Sequence, residues 1–422
     1  MAVSQAVRQP AFIAFAVLLL VLIAATVVLI PWQHPPTPPR SAQLAALGEL
    51  PASVVAKGKE FAAAMRPGGY LAMAVGLIAA LVLGLTPFGS KIVAACGRPF
   101  GGHRLAEAVL GGLAVLLLAQ LVTLPFAAWR HTILVRYGLS TQNWGGWAVD
   151  VAKSYAVTAV LGAVALAAFY GLTRLAPRLW WIFAATGAAL LVVLMSLIYP
   201  VLIEPVFNKF EPMADGPLRT ELLALAERDG VPVGDVLVAD ASRRTRAVNA
   251  YVSGIGPTRR IVVYDTLLDE APDDEVAMVV AHELGHAKDG DVLIGTVLGA
   301  LGAAVTVCGI AVLGGWTGLL RRAGAGSITS PRAIALLLAI VAVVGLVSTP
   351  LQNLVSRRAE SRADEHAITL TGDPGTFASM QQRLATANMS DVDPPWLLFW
   401  LFSSHPSTVQ RIAAARVHAD GG

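Results

Sequence analysis

Residues 282 to 286 read His-Glu-Leu-Gly-His. On a helix, residues four apart share a face, so the imidazoles of His282 and His286 can reach one metal ion while Glu283, between them, faces a water on that ion. The chemistry this implies is hydrolysis. Zinc lowers the pKa of a bound water to about 7, and a neighbouring carboxylate can take the remaining proton and later return it to a leaving amine. No covalent enzyme intermediate is expected. A transporter or sensor that merely holds zinc has no need of a carboxylate between two histidine ligands, so Glu283 argues for a hydrolase over either.

A catalytic zinc takes three protein ligands and keeps one position open. The third is not a histidine on the same helix, because Ala287 to Val292 reads Ala-Lys-Asp-Gly-Asp-Val. The two cysteines, Cys96 and Cys308, lie in or beside apolar stretches and cannot build a thiolate site. A downstream carboxylate is required, and Glu360 in the run Ser356 to Asp364 is the best placed. The bland reading of that run is a solvated, salt-bridged helix. Asp364 follows Glu360 by four residues, shares its face and can hydrogen-bond a ligand histidine, fixing its tautomer.

These residues need elements to carry them. Asp273 and Asp274 suit a helix N-terminus, and Val276, Val279 and Val280 carry that helix to the motif. Upstream, the leucine spacing predicts a helix over Pro217 to Arg228, and short strands are expected at Val236 to Val238, Ala250 to Val252 and Ile261 to Tyr264. The rest of the chain is of another kind. Of 422 residues 55% are hydrophobic and 14% charged, and the mean hydropathy is +0.64, a balance that points to a multi-spanning membrane protein.

Seven apolar stretches can cross a bilayer: Phe12 to Ile30, Tyr70 to Leu85 (the shortest), Leu105 to Trp129, Tyr155 to Leu172, Leu179 to Ile203, Val292 to Leu320 and Ala333 to Val355. The first leads into Pro31 and Trp32 without a cleavage-like site, so it reads as a retained span. A Pro-rich connection, His34 to Arg40, and a weakly amphipathic segment through Phe61 read as an exposed link with one interfacial helix. Nearly all of the interval between His286 and Glu360 is occupied by two spans, which return the chain to the side it left. Both halves of the site therefore fall at one membrane face.

The expected fold is mainly α, a polytopic membrane protein of about seven transmembrane helices with a small α+β zincin-like catalytic domain. Its parts are an N-terminal membrane region (1–203), a catalytic segment carrying the motif (204–291), two further spans (292–355) and a C-terminal catalytic segment with the third ligand (356–422). A net charge of +3 with scattered arginines gives no basis for nucleic-acid binding. Charge counting does not orient the spans, since Lys91, Arg98 and Arg104 lie in one short loop and Arg130 and Arg136 in the next.

The two metal motifs, with Glu204-Pro-Val-Phe-Asn-Lys-Phe, Asn249-Ala-Tyr-Val-Ser-Gly, Arg260-Ile-Val-Val-Tyr-Asp-Thr-Leu-Leu and Ser404-His-Pro, resemble the type 1 CAAX prenyl protease family of integral-membrane zinc endopeptidases. The likeness is strong from the fifth span onward and rests on span count before it. It implies one zinc ion per chain on His282, His286 and Glu360, with Glu283 as general base. It also implies a substrate-holding edge strand over Asn249, Ala250, Tyr251 and Val252, and a contact from His405 to the oxyanion or substrate. Asp364 is a proton donor in one reading of the family and a partner of His282 in the gluzincin comparison; the second is preferred. Arg411 is expected to be structural.

The Ala-, Val- and Leu-rich composition, with arginine well above lysine, resembles a bacterial relative. The expected setting is thus a bacterial cell membrane, with the zinc domain cytoplasmic by resemblance. Bacteria generally lack CAAX prenylation, so the expected substrates are membrane-associated peptides or proteins. CAAX-like cleavage and heat-shock-type quality control of misassembled membrane proteins stand as alternatives.

Overall fold

The computed structural model describes residues 2–33, 35–254, 256 and 259–421; His34 of the Pro-rich connection lies outside them. Among the described residues, seven helices are long and apolar enough to cross a membrane: Val7–Leu29, Ala52–Leu85, Arg104–Arg136, Trp144–Leu175, Trp180–Phe207, Asp291–Leu313 and Pro331–Thr371. Apolar side chains stand out from them, such as Val28, Leu175 and Val347, as spans facing lipid require.

The second span departs most from its expectation. Its helix begins at Ala52, so the part of the amphipathic segment from Ala52 through Phe61 is the water-side end of the same 34-residue helix. The short helix before it is Arg40–Glu49. Pro51 caps the start, where a missing N–H costs nothing. The fifth helix, Trp180–Ile198, loosens into a π turn over Tyr199–Ile203, where Pro200 has no N–H to offer. The sixth ends at Leu313, ahead of Gly314 and Gly315, so Thr317–Arg322 is a helix of its own.

The last span matters most for the site. Its helix runs Ile334–Thr371 without a break, 38 residues and so roughly 57 Å, against about 30 Å of hydrocarbon. The excess carries Glu360 and Asp364 beyond the apolar stretch on a rigid rod.

Beside that rod lies a four-stranded sheet in the order β1-β2-β4-β3: β1 is Phe210–Pro212, β2 Asp235–Ala239, β3 Ala250–Ser253 and β4 Arg260–Tyr264. β2 and β4 are parallel, and the outer pairs are antiparallel with Tyr251 opposite Val262, which leaves β3 at an edge. β1 had no sequence signal, because three residues ending in proline show no alternation. The Pro217–Arg228 helix forms as expected. The motif helix, Asp273–Asp289, opens with three acids and closes at Gly290, whose φ of 70° supplies the left-handed turn before the sixth span starts at Asp291. Val276, Val280 and Leu284 are fully buried with Val236, Ile261, Ile368 and Phe377, so one core ties this helix to the sheet and to the long last span.

Candidate active site

His282 and His286 project from one face of the motif helix with ring centroids 4.8 Å apart and planes 88° to each other. Glu360 comes from the long last helix. Its Oε2 lies 3.3 Å from His282 Nε2 and its Oε1 3.5 Å from His286 Nε2. One ligand atom from each of the three residues falls within 4.8 Å of the others. The helices come this close because the motif carries glycine. A Cβ on Gly285 would stand 3.1 Å from His366 Cδ2 and 3.2 Å from Ala363 Cα, tighter than ordinary contacts. Asp229, buried, braces the same junction by accepting from Lys288 Nζ at 2.6 Å and facing His366 Nε2 at 3.0 Å.

The other nitrogen of each imidazole is also occupied. His282 Nδ1 lies 2.9 Å from Asp364 Oδ1, and His286 Nδ1 lies 2.8 Å from Asp291 Oδ2. An ionised carboxylate only accepts, so both Nδ1 atoms donate, and both Nε2 atoms, the ones left for a metal, face Glu360. Each carboxylate is in turn held by a guanidinium: Arg411 pairs with both oxygens of Asp364, and Arg362 pairs with Asp291 while reaching Asp289 at 2.6 Å. Two guanidinium–carboxylate–imidazole chains thus converge from opposite sides.

Two Nε2 atoms and a carboxylate converge on one point. Glu360 Oε2 is buried and has no hydrogen-bond partner, a costly state that a cation between these atoms would relieve. A nitrogen, nitrogen, oxygen set is a common one for zinc, and these residues fit that ion.

Glu283 lies in the same cleft, where burial pushes its carboxyl above the usual range, with His282 and His286 pulling the other way. For His282, burial alone would push the imidazole down. Its hydrogen bond to Asp364 and the adjacent Glu360 carboxylate overrule that and hold it at about 10. His405 stands at the rim with its side chain 58% exposed, its Nε2 3.3 Å from Glu360 Oε1 and its Nδ1 2.9 Å from Ser404 Oγ.

The cleft has a volume of about 680 Å³, and Val248, Asn249, Met380, Phe399 and Arg411 are among its walls. Of the four expected strand residues, only Asn249 lines it. The Ala250 side chain is buried in the core, and Tyr251 turns its hydroxyl towards Glu204 at 3.4 Å. Asn388 holds the approach to this strand from the far side, accepting from the Val248 amide at 3.0 Å and donating to its carbonyl at 3.3 Å. Asn388 gave no sequence signal, and neither did the reach of Arg411 into the cleft.

A catalytic cleft of this design at the end of a seven-span bundle defines a membrane metalloprotease. Residues 212–419 match the family model described as Peptidase family M48, and residues 69–209 match the one described as CAAX prenyl protease N-terminal, five membrane helices. An uncharacterised metalloprotease of Bacillus subtilis, YhfN, is 33% identical over 307 residues, 71% of each chain. A CAAX prenyl protease 1 homolog of Arabidopsis thaliana is 32% identical over 301 residues, 70% of each. The crystal structure of S. mikatae Ste24p superposes with a TM-score of 0.77 at 20% identity, over 98% of this chain and 99% of that one. The chain belongs to Peptidase family M48 and is an integral-membrane zinc metalloendopeptidase.

Proposed function

We propose that the protein cleaves peptide bonds with one zinc ion per chain held by His282, His286 and Glu360, and with Glu283 as general base. The observation that carries this reading is the pair of Nδ1 atoms engaged by Asp364 and Asp291, which turns His282 Nε2 towards the buried, unpartnered Oε2 of Glu360 and His286 Nε2 towards its Oε1. Zinc, when bound, supplies Lewis acidity towards the scissile carbonyl and a nearby water.

Glu283, its carboxyl raised by burial, takes a proton from that water as it attacks the carbonyl carbon, then returns it to the leaving nitrogen. Asp364 acts through His282, holding its tautomer and orientation. Its contact with Arg411 occupies both of its oxygens and counts against a proton-donor role. His405, at the rim beside Glu360, donates to the oxygen that becomes negative in the transition state. An extended substrate lies along Asn249, Ala250, Tyr251 and Val252, adding to the free edge of β3 through its backbone, so that Tyr251 and Val252 contribute main-chain groups and not side chains.

On this reading the catalytic unit is assembled from 204–291 and 356–422, separated by the spans of 292–355, and it faces the cytoplasm of a bacterial cell. Substrates are membrane-associated peptides or proteins. CAAX-like cleavage and clearance of misassembled membrane proteins both fit the site. Glu283→Gln tests the mechanism. It should keep zinc and peptide binding while turnover of a fluorogenic peptide falls roughly 10²- to 10⁴-fold; an unchanged rate would defeat the mechanism.

A further inference from the structure

Between the cleft and the spans lies a seven-residue helix, Trp396–Phe402, of sequence Trp-Leu-Leu-Phe-Trp-Leu-Phe, with no charged residue and none buried. Trp396, Leu397 and Trp400 stand at i, i+1 and i+4 on one face and are 77%, 47% and 46% exposed. The other face does different work: Phe399 lines both the catalytic cleft and a neighbouring cavity of about 730 Å³, which Trp396 borders from the outer side. Three large apolar side chains on the lip of an active site call for a covering.

The neighbours of this helix show what covers it. Asn353 Nδ2 donates to the Leu401 carbonyl at 2.7 Å, and the Arg357 guanidinium sits 4.8 Å over the Phe399 ring. Arg357 is the first charge after the uncharged run that starts at Ile334, and Leu351, roughly 9 Å back along that helix, is an open apolar residue of the span. On the second span, Tyr70 packs against Phe402 with centroids 5.1 Å apart, one turn past Arg66, the last charge before a run without charges to Leu85. On both flanking helices the short helix therefore meets the boundary where charge gives way to lipid-facing surface. In its water-side neighbour, the second cavity, Arg40 pairs with Asp393 and Arg66 with Asp391, and Lys59 leaves the lining with one net positive charge towards lipid phosphates.

We propose that Trp396–Phe402 is an interfacial lip. Its Trp396, Leu397 and Trp400 face inserts at the headgroup–acyl boundary of the bilayer that holds the spans, where tryptophan is favoured, and it keeps the mouth of the cleft against that surface. The lip deepens the proteolytic reading, on which it rests for its consequence: a peptide tethered to the bilayer reaches the cleft along the lip.

The test has two parts. In full-length protein carrying Cys96→Ser and Cys308→Ala, Leu397→Cys is labelled with a nitroxide and reconstituted into vesicles of phosphatidylcholine and phosphatidylglycerol. Oxygen should relax the label more strongly than a water-soluble nickel chelate, and a label relaxed mainly by the chelate would overturn the proposal whatever the enzyme cleaves. In the second part, Trp396→Ser/Trp400→Ser should cut a palmitoylated peptide in those vesicles with kcat/KM lowered roughly 10-fold, while the unlipidated peptide in detergent is cut at the wild-type rate. Equal cleavage of the tethered peptide by variant and parent would overturn the consequence for substrate. Loss of the detergent activity in the parent enzyme would instead count against the proteolytic reading, leaving the spin-label result to decide the lip.

Discussion

Replacing Asp291 by alanine removes the acceptor 2.8 Å from His286 Nδ1 and nothing that touches the metal position directly. A hydrogen bond to a charged group contributes about 1.5–3 kcal/mol, and loss of a carboxylate behind a ligand imidazole typically costs roughly 10- to 100-fold in metal affinity. Structural side effects should be small. Arg362 keeps Asp289 at 2.6 Å, and an acid in the first turn of a helix is worth only about 0.3–1 kcal/mol. The expected result, from competition with a chelator of known zinc affinity, is a 10- to 100-fold weaker site in a protein whose zinc-stripped Tm moves by no more than about 3 °C. Asp291→Asn keeps an acceptor and loses the charge, so it should fall between parent and alanine. Unchanged affinity would refute the idea that this carboxylate orients His286. A weaker site accompanied by a large fall in the zinc-stripped Tm would show that Asp291 holds the fold and not the ligand.

The partner on the other side should behave differently. Asp364→Ala leaves the largely buried Arg411 without its carboxylate, which is expected to cost about 3–5 kcal/mol of stability as well as metal affinity. Adding Arg411→Met should restore the Tm of the zinc-stripped protein but not its zinc affinity, and recovery of both would remove Asp364 from the site. Metal loading should also release protons. Before loading, His282 is held at about 10, so at pH 7 it carries a proton that coordination must displace. Calorimetric titrations in buffers of different ionisation enthalpy should therefore show about one proton released from this group at pH 7, with affinity rising as the pH rises towards 10. Release of none would mean that His282 is already neutral.

Local periodicity made some of this protein legible in the sequence. The face shared by His282 and His286 follows from a four-residue spacing, and the seven spans from long apolar runs, because both are properties of a helix that forms wherever it is packed. The pairing of Glu360 with that motif was readable for a topological reason: two intervening spans return the chain to one membrane face. Asp291 was not readable, although it lies only five positions after His286. On a continuous helix a residue five positions on lies roughly 140° round, and only the left-handed turn at Gly290 folds Asp291 back onto the imidazole. The second span was read as its apolar half alone, since hydropathy marks where lipid begins and is silent on where a helix continues into water. Arg411 and Asn388 reach the cleft through contacts with residues far away in sequence, Asp364 and Val248. Such contacts depend on how closely Gly285 and Ala363 let two helices approach, and on the edge position of β3. Spacing along the chain therefore determined which atoms could bind a metal, and tertiary packing decided which groups aim them, because orientation is set by neighbours that no local period brings together.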